Sequence, residues 1–208
     1  MTDARTLNWL FVVPAATGSQ LVLPVADEVV PGAVQPAPTS AGLRGVLAEG
    51  PFSSVVASDV SAWSGRTGVG SVRLLGQLAD AVAPGGFLYA GFPGRGYPLN
   101  AASRGAVLRC RATSVLRRHG LRLEAAYVAL PAAACPALIV PVDSPTELDY
   151  VLRHLSFPYA SSSRPLVGRA RHALVRVGQA AAVRAPHRLR VAGSPGHSLL
   201  AVRPEVPA

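Results

Sequence analysis

A chain of 208 residues and 21.4 kDa, half of them apolar and with a mean hydropathy of +0.32, can bury the core of one ordinary domain and is too apolar to be disordered. Its net charge of +9 sets 20 basic residues against 11 acidic ones, and every basic residue is Arg. With Ala, Gly, Pro and Val abundant, the Arg-only set reads as the bias of a GC-rich bacterial genome; such a surface attracts anions, but nucleic acid is not an expected partner. No apolar run approaches the roughly 20 residues of a membrane span. The start MTDARTLNW has no apolar signal region, so a cytoplasmic protein is expected. Cys110 and Cys135 stand apart without a ligand pattern, and neither a metal centre nor a disulfide framework is expected.

Residues 6–13 (TLNWLFVV) are an apolar run closed by Pro14 and the expected first strand. Residues 20–30 fit a short helix or a second strand, the proline-rich stretch 31–40 a loop, and 43–49 a helical turn. Residues 52–60 are a short apolar strand containing Val55 and Val56 and closed by Asp59. The Gly- and Ser-rich stretch 61–70, which contains Trp63, reads as a loop. In residues 71–83, Val72, Leu75, Leu78, Ala79 and Val82 recur at helical spacing. Pro84, Gly85 and Gly86 stop that helix, and residues 87–92 (FLYAGF) are the next strand. Strand, helix, glycine turn and strand within about forty residues form a βαβ unit, which demands a parallel sheet.

A loop containing Arg95 and Tyr97 follows, then a helix over 106–119 with Gly120 as its cap and a strand over 121–130. Residues 138–142 are a short apolar segment. Ser144 as N-cap, Pro145 in the first turn and Glu147 three residues after the cap then open a helix, with Leu148, Val151, Leu152 and Leu155 on one stripe. Pro158 ends it, and a basic amphipathic helix is expected over 165–184, carrying Arg169, Arg171, Arg176 and Arg184 outside its apolar side. Residues 187–191 and 197–202, joined by Gly193-Ser194-Pro195-Gly196, suggest an antiparallel hairpin.

The string VVASDV at 55–60, followed by LL-x-QLA-x-AVAPGG-x-LY-x-G-x-P, resembles the second half of the class I S-adenosylmethionine-dependent methyltransferases, closely over residues 51–93 and loosely over 113–131. The fold this implies is α/β, a Rossmann-like sheet that is mostly parallel with a C-terminal antiparallel hairpin, in one domain over 1–208 with residues 144–184 as a helical insertion. The resemblance also implies S-adenosylmethionine as cofactor, held by a glycine-rich loop after the first strand, where this sequence offers the single Gly18. An acidic residue after the second strand would hold the ribose hydroxyls, with Asp27 and Glu28 as candidates. Asp59 would face the cofactor or cap the following turn, and Trp63, Arg95 and Tyr97 would meet the acceptor.

Fifty-one residues stand before Phe52 where the resemblance implies two full βα units, so a shortened cofactor-binding half is expected. Two functions are in play. One is a methyltransferase-like protein of bacterial specialised metabolism with a degenerate cofactor site, acting as a binding or scaffolding subunit of a biosynthetic complex. The other is an active S-adenosylmethionine-dependent methyltransferase acting on a small molecule or peptide. A protein partner or a second copy would dock through the amphipathic helices 145–157 and 165–184.

Overall fold

The computed structural model describes residues 4–14, 18–25, 29–94, 109–130, 132–154, 177–178 and 180–205. They build a seven-stranded sheet from β1 (Gln20–Leu23), β2 (Ala33–Val34), β3 (Phe52–Ala57), β4 (Val82–Pro93), β5 (Arg122–Leu130), β6 (Leu138–Pro141) and β7 (Gly196–Val202), in the order β2-β1-β3-β4-β7-β5-β6. β2, β1, β3 and β4 pair in parallel. β7 enters antiparallel between β4 and β5, and β6 lies antiparallel along the outer side of β5. This is an α/β Rossmann-like sheet of the methyltransferase-like type, parallel first and antiparallel towards its C-terminal strands.

One face carries most of the helices. α1 (Ser40–Leu47), α2 (Val60–Thr67), α3 (Ser71–Asp80) and α4 (Arg109–Arg118) close over Leu21, Leu23, Val55, Ala57, Leu88, Ala90 and Leu199. The α3 stripe works as the spacing demands: Leu74, Leu75, Leu78 and Ala79 are all fully buried. Farther along the same face, α5 (Pro145–His154) and α6 (His187–Ala192) cover Val128 and Val140 through Leu148, Val151 and Val191. On the opposite face, Trp9 packs on Val22, Val56 and Tyr89.

Several expectations change, and among them the stretch 31–40, expected as a loop, holds β2 and the first residue of α1. Residues 6–13 are not the first strand but part of a 3-10 helix, Ala4–Phe11. A strand would put Trp9 and Phe11 on one face, whereas Trp9 is buried and Phe11 is exposed. The first strand is therefore β1, at the start of the stretch 20–30. The presumed loop at 61–70 contains α2, capped by Asp59 and closed by Gly68 at φ 69°. Residues 187–191 are helical, because Val191 is drawn into the core under α5 and Arg190 is clamped by Asp149 at 2.5 Å. The hairpin in the antiparallel part is β5–β6, and β7 enters the sheet from a helix.

The Pro84-Gly85-Gly86 signal sits inside β4. Pairing with β3 jumps from Phe52↔Val82 to Ser54↔Phe87, which turns Pro84 and Gly85 out to solvent. Gly85 takes φ 74°, a conformation that a side chain would strain. The helix expected over 106–119 is α4; residues 106–108 lie outside the described residues. Of the helix expected over 165–184, residues 177–178 and 180–184 are described and helical.

Candidate functional site

The chain leaves β1 towards β2 on one side and β3 towards β4 on the other, so the topological switch point lies between the C-terminal ends of β1 and β3. Ligands in open α/β sheets bind at such a point. Here the place is occupied by α2. Asp59, just past β3, accepts the Ala62 N–H at 2.9 Å and fixes the first turn of α2. Burial pushes its carboxyl above the usual 3.8, while the N–H groups of Ala62 and Ser61 and the Arg66 guanidinium pull in the other direction.

One turn into α2, the Trp63 indole N–H donates to the Pro24 carbonyl at 2.7 Å. Arg66 donates to the same carbonyl at 3.4 Å and also to the Val25 carbonyl, with its guanidinium 5.9 Å from the Trp63 ring centre. Pro24 and Val25 are the first residues to leave β1. Trp63 and Arg66 are three residues apart and therefore share a side of α2, from which they hold the outgoing chain of the neighbouring strand.

The same edge of the sheet continues at β4 and β7. The Gly94 N–H donates to the Pro195 carbonyl at 2.8 Å, and His197 lies between Phe92 of β4 and Val128 of β5. His197 is buried, and desolvation, reinforced by the nearby Arg109 charge, lowers its pKa to about 4. Its Nδ1 has no hydrogen-bond partner among the described residues. The imidazole is thus neutral at pH 7.

The candidate residues fall in different places. Gly18 precedes β1, with φ 131°, and a Cβ there would stand 3.1 Å from the Ser53 hydroxyl. Ser53 is at the start of β3, so Gly18 lies at the N-terminal edge of the parallel strands, opposite Asp59. The displacement follows from the first strand: the glycine enters it instead of leaving it. Asp59 and Trp63 do come together on α2. Trp63 is 1% exposed, its ring in the core and its N–H on Pro24, so it offers no open face to an acceptor. Arg95 and Tyr97 lie outside the described residues, as do Asp27 and Glu28. The last two precede β2, and the residue that follows β2 is Gln35.

These groups can be compared with what S-adenosylmethionine requires. A glycine-rich loop should leave β1 so that the backbone can approach the ligand, and an acidic side chain should follow β2. Instead, the Pro24 and Val25 carbonyls are held by Trp63 and Arg66, Gln35 stands after β2, and the Asp59 carboxylate caps a helix. The described residues do not fit the group. Arg66 and His197 were not legible as site residues. The three-residue spacing of Trp63 and Arg66 was the available signal, whereas His197 owes its environment to strands distant in sequence. Among the described residues, no cluster of His, Cys, Asp or Glu could hold a metal ion, and no helix is long and apolar enough to cross a membrane.

No protein-family model and no curated protein sequence matches the chain. Solved structures similar to it include the [4+2]-cyclase SpnF, at 13% identity over 98% of this chain and 81% of that one, with a TM-score of 0.46. Another is a putative sarcosine dimethylglycine methyltransferase from Galdieria sulphuraria, at 11% identity over 98% and 85%, with a TM-score of 0.39. A third is the phospholethanolamine N-methyltransferase 2 of Haemonchus contortus, at 12% identity over 97% of this chain and 53% of that one, with a TM-score of 0.36. Likenesses this weak say nothing of the present chain's chemistry.

Proposed function

We propose that this chain is a methyltransferase-like protein that does not use S-adenosylmethionine and serves as a binding or scaffolding subunit of a biosynthetic complex in bacterial specialised metabolism. The observation that carries the reading is the Trp63 and Arg66 clamp on the Pro24–Val25 carbonyls at the switch point. A nucleoside seated there has to displace a buried indole. Emptying a Trp site costs about 3–5 kcal/mol, a large part of the roughly 8 kcal/mol that micromolar binding represents.

Exposed apolar side chains on the C-terminal helices support an assembly role. Tyr150 on α5 and Val177, in the described part of the helix expected over 165–184, are both more than half exposed, and Tyr150 sits 4.8 Å from the His154 ring. Such side chains suit a protein partner or a second copy, the surface first expected over residues 145–157 and 165–184.

Calorimetric titration of the full chain with S-adenosylmethionine and S-adenosylhomocysteine tests the reading. The expected result is no heat of binding at millimolar ligand. Micromolar binding, weakened when Asp59 is changed to Ala, would overturn it in favour of an active methyltransferase acting on a small molecule or peptide.

A further inference from the structure

α4 carries Arg109, Arg111, Arg117 and Arg118 in ten residues, with no acidic residue among them. None of these guanidiniums forms an ion pair among the described residues; Arg118 reaches only the Ser114 hydroxyl, at 3.4 Å. The carboxylates nearest in sequence and packing are engaged elsewhere, Glu124 with Arg122 at 2.6 Å and Asp80 with His119 at 2.7 Å. The positive charge of α4 is therefore uncompensated.

Beside this charge runs a groove of about 570 Å³, rimmed by Arg109, Arg117 and Arg118 and floored by Leu123 and Ala126 of β5. The floor exists because of a register shift. Pairing of β5 with β7 slips between Leu123 and Ala125, so Leu123 and Ala126, three apart, both turn towards the helix-bearing face. Leu123 and Ala126 are only partly covered there, whereas Val128 and Leu130, farther along β5, lie in the core beneath α5 and α6.

We propose that this groove is the docking surface for an acidic amphipathic α-helix of a partner protein. Carboxylates of the partner would pair with Arg109 at one end and with Arg117 and Arg118 at the other, while its apolar side chains rest on Leu123 and Ala126. Eight or nine residues separate those arginines, about 12–14 Å along α4, which matches roughly two turns of a partner helix. An acidic amphipathic helix satisfies both the charge and the apolar floor. A nucleic-acid strand would leave the floor unused and finds no aromatic side chain among the groove's lining for a base to stack on. A second copy of this chain is the wrong occupant of this arginine-lined groove, since each copy carries a net charge of +9. The proposal rests on the reading of the chain as a binding subunit and names the chemistry of what it binds.

The test is fluorescence anisotropy on the full chain with four labelled probes of equal length. They are a 15-residue helical peptide with Glu and Leu on one face, the same peptide with Lys in place of Glu, an all-Glu peptide, and an oligothymidylate. The Glu/Leu peptide is expected to bind, with an affinity that falls as salt rises. The all-Glu peptide should bind at least about tenfold more weakly for want of apolar contact, and the Arg117→Glu/Arg118→Glu double variant should lose about tenfold or more. Both arginines are exposed, and circular dichroism checks that the variant is folded. Alkylation of the exposed Cys110 at the groove's edge, measured in a Cys135→Ser background, should slow when the Glu/Leu peptide is bound.

Tighter binding of oligothymidylate assigns the groove to nucleic acid and overturns the proposal. Undiminished peptide binding by the double variant, or no binding at all, overturns it equally. The S-adenosylmethionine titration fails or succeeds independently of residues 117 and 118, so loss of the scaffold reading and loss of the groove are separately visible.

Discussion

The two flanks of the switch point are built on different scales. On one side β1 has four residues and β2 two, and β1 passes to β2 through the nine residues 24–32. On the other, β3 has six residues and β4 twelve, with α2 and α3 laid between them. The short flank lends Leu21, Val22 and Leu23 to the cores, while the long one supplies most of the buried side chains of the larger core. A parallel sheet thus tolerates a trimmed crossover when its neighbour provides the cover. The cost falls on the ligand site, because the remaining crossover grips the outgoing chain of β1 through Trp63 and Arg66.

Breaking that grip is expected to have the largest effect. Trp63→Ala empties a fully buried site and removes the shorter of the Pro24 carbonyl's two hydrogen bonds, so urea unfolding should show a loss of about 3–5 kcal/mol. Trp63→Phe keeps most of the ring and loses chiefly the hydrogen bond, about 1 kcal/mol. If Trp63→Ala lost no more than Trp63→Phe, the short flank would not depend on the long one.

The next effect belongs to the edge built by β4 and β7. The folded pKa of His197 is near 4, below its ordinary 6.5, so its contribution is fully present above pH 6.5. It drains away as pH falls through 4, by a total on the order of 3 kcal/mol. Urea midpoints at pH 7 and pH 4.5 should therefore lie closer together in His197→Gln than in the parent chain. An unchanged gap would mean that the imidazole titrates in the fold as it does in the unfolded chain.

The smallest effect separates two roles of Asp59. Its folded pKa is raised, so its linked contribution is present below pH 3.8 and is lost as pH rises through the folded value. At pH 7 the buried charge is a burden and the cap a benefit. Asp59→Ala should lose about 1 kcal/mol by removing the cap. Asp59→Asn keeps an acceptor and sheds the charge, so thermal unfolding at pH 7 should place it within about 0.5 kcal/mol of the parent. Equal losses in both variants would show that the carboxylate's charge, not its capping oxygen, matters at the switch point.

What could be read from the sequence follows the same divide. Residues 52–93 announced themselves because α3 repeats its apolar residues over ten positions and the flanking strands carry the apolar runs 55–57 and 87–92, so local pattern and tertiary burial agree. α2 was hidden by its Gly- and Ser-rich composition, although Asp59 and Gly68 are ordinary cap residues. The run 6–13 misled because a short apolar stretch has no decisive period; only the exposure of Leu10 and Phe11 beside buried Trp9 identifies the 3-10 turn. Misplacing that strand moved Gly18 to the wrong end of the sheet. For the candidate site, Asp59 was placed correctly at the end of its strand, while the burial of His197 depends on pairing with residues more than sixty positions away, which no local signal carries.

The position of β7 has a consequence for the order of assembly. Every described strand pairing between the β2-β1-β3-β4 block and the β5-β6 block runs through β7. Emerging from the ribosome, the chain can form the two blocks but cannot join them until residues 196–202 are free to slide between β4 and β5. Joining is therefore a late event of long sequence separation, of the slow kind, and until it occurs two strand edges stand open. A partner that held the nascent blocks would be most useful in that interval.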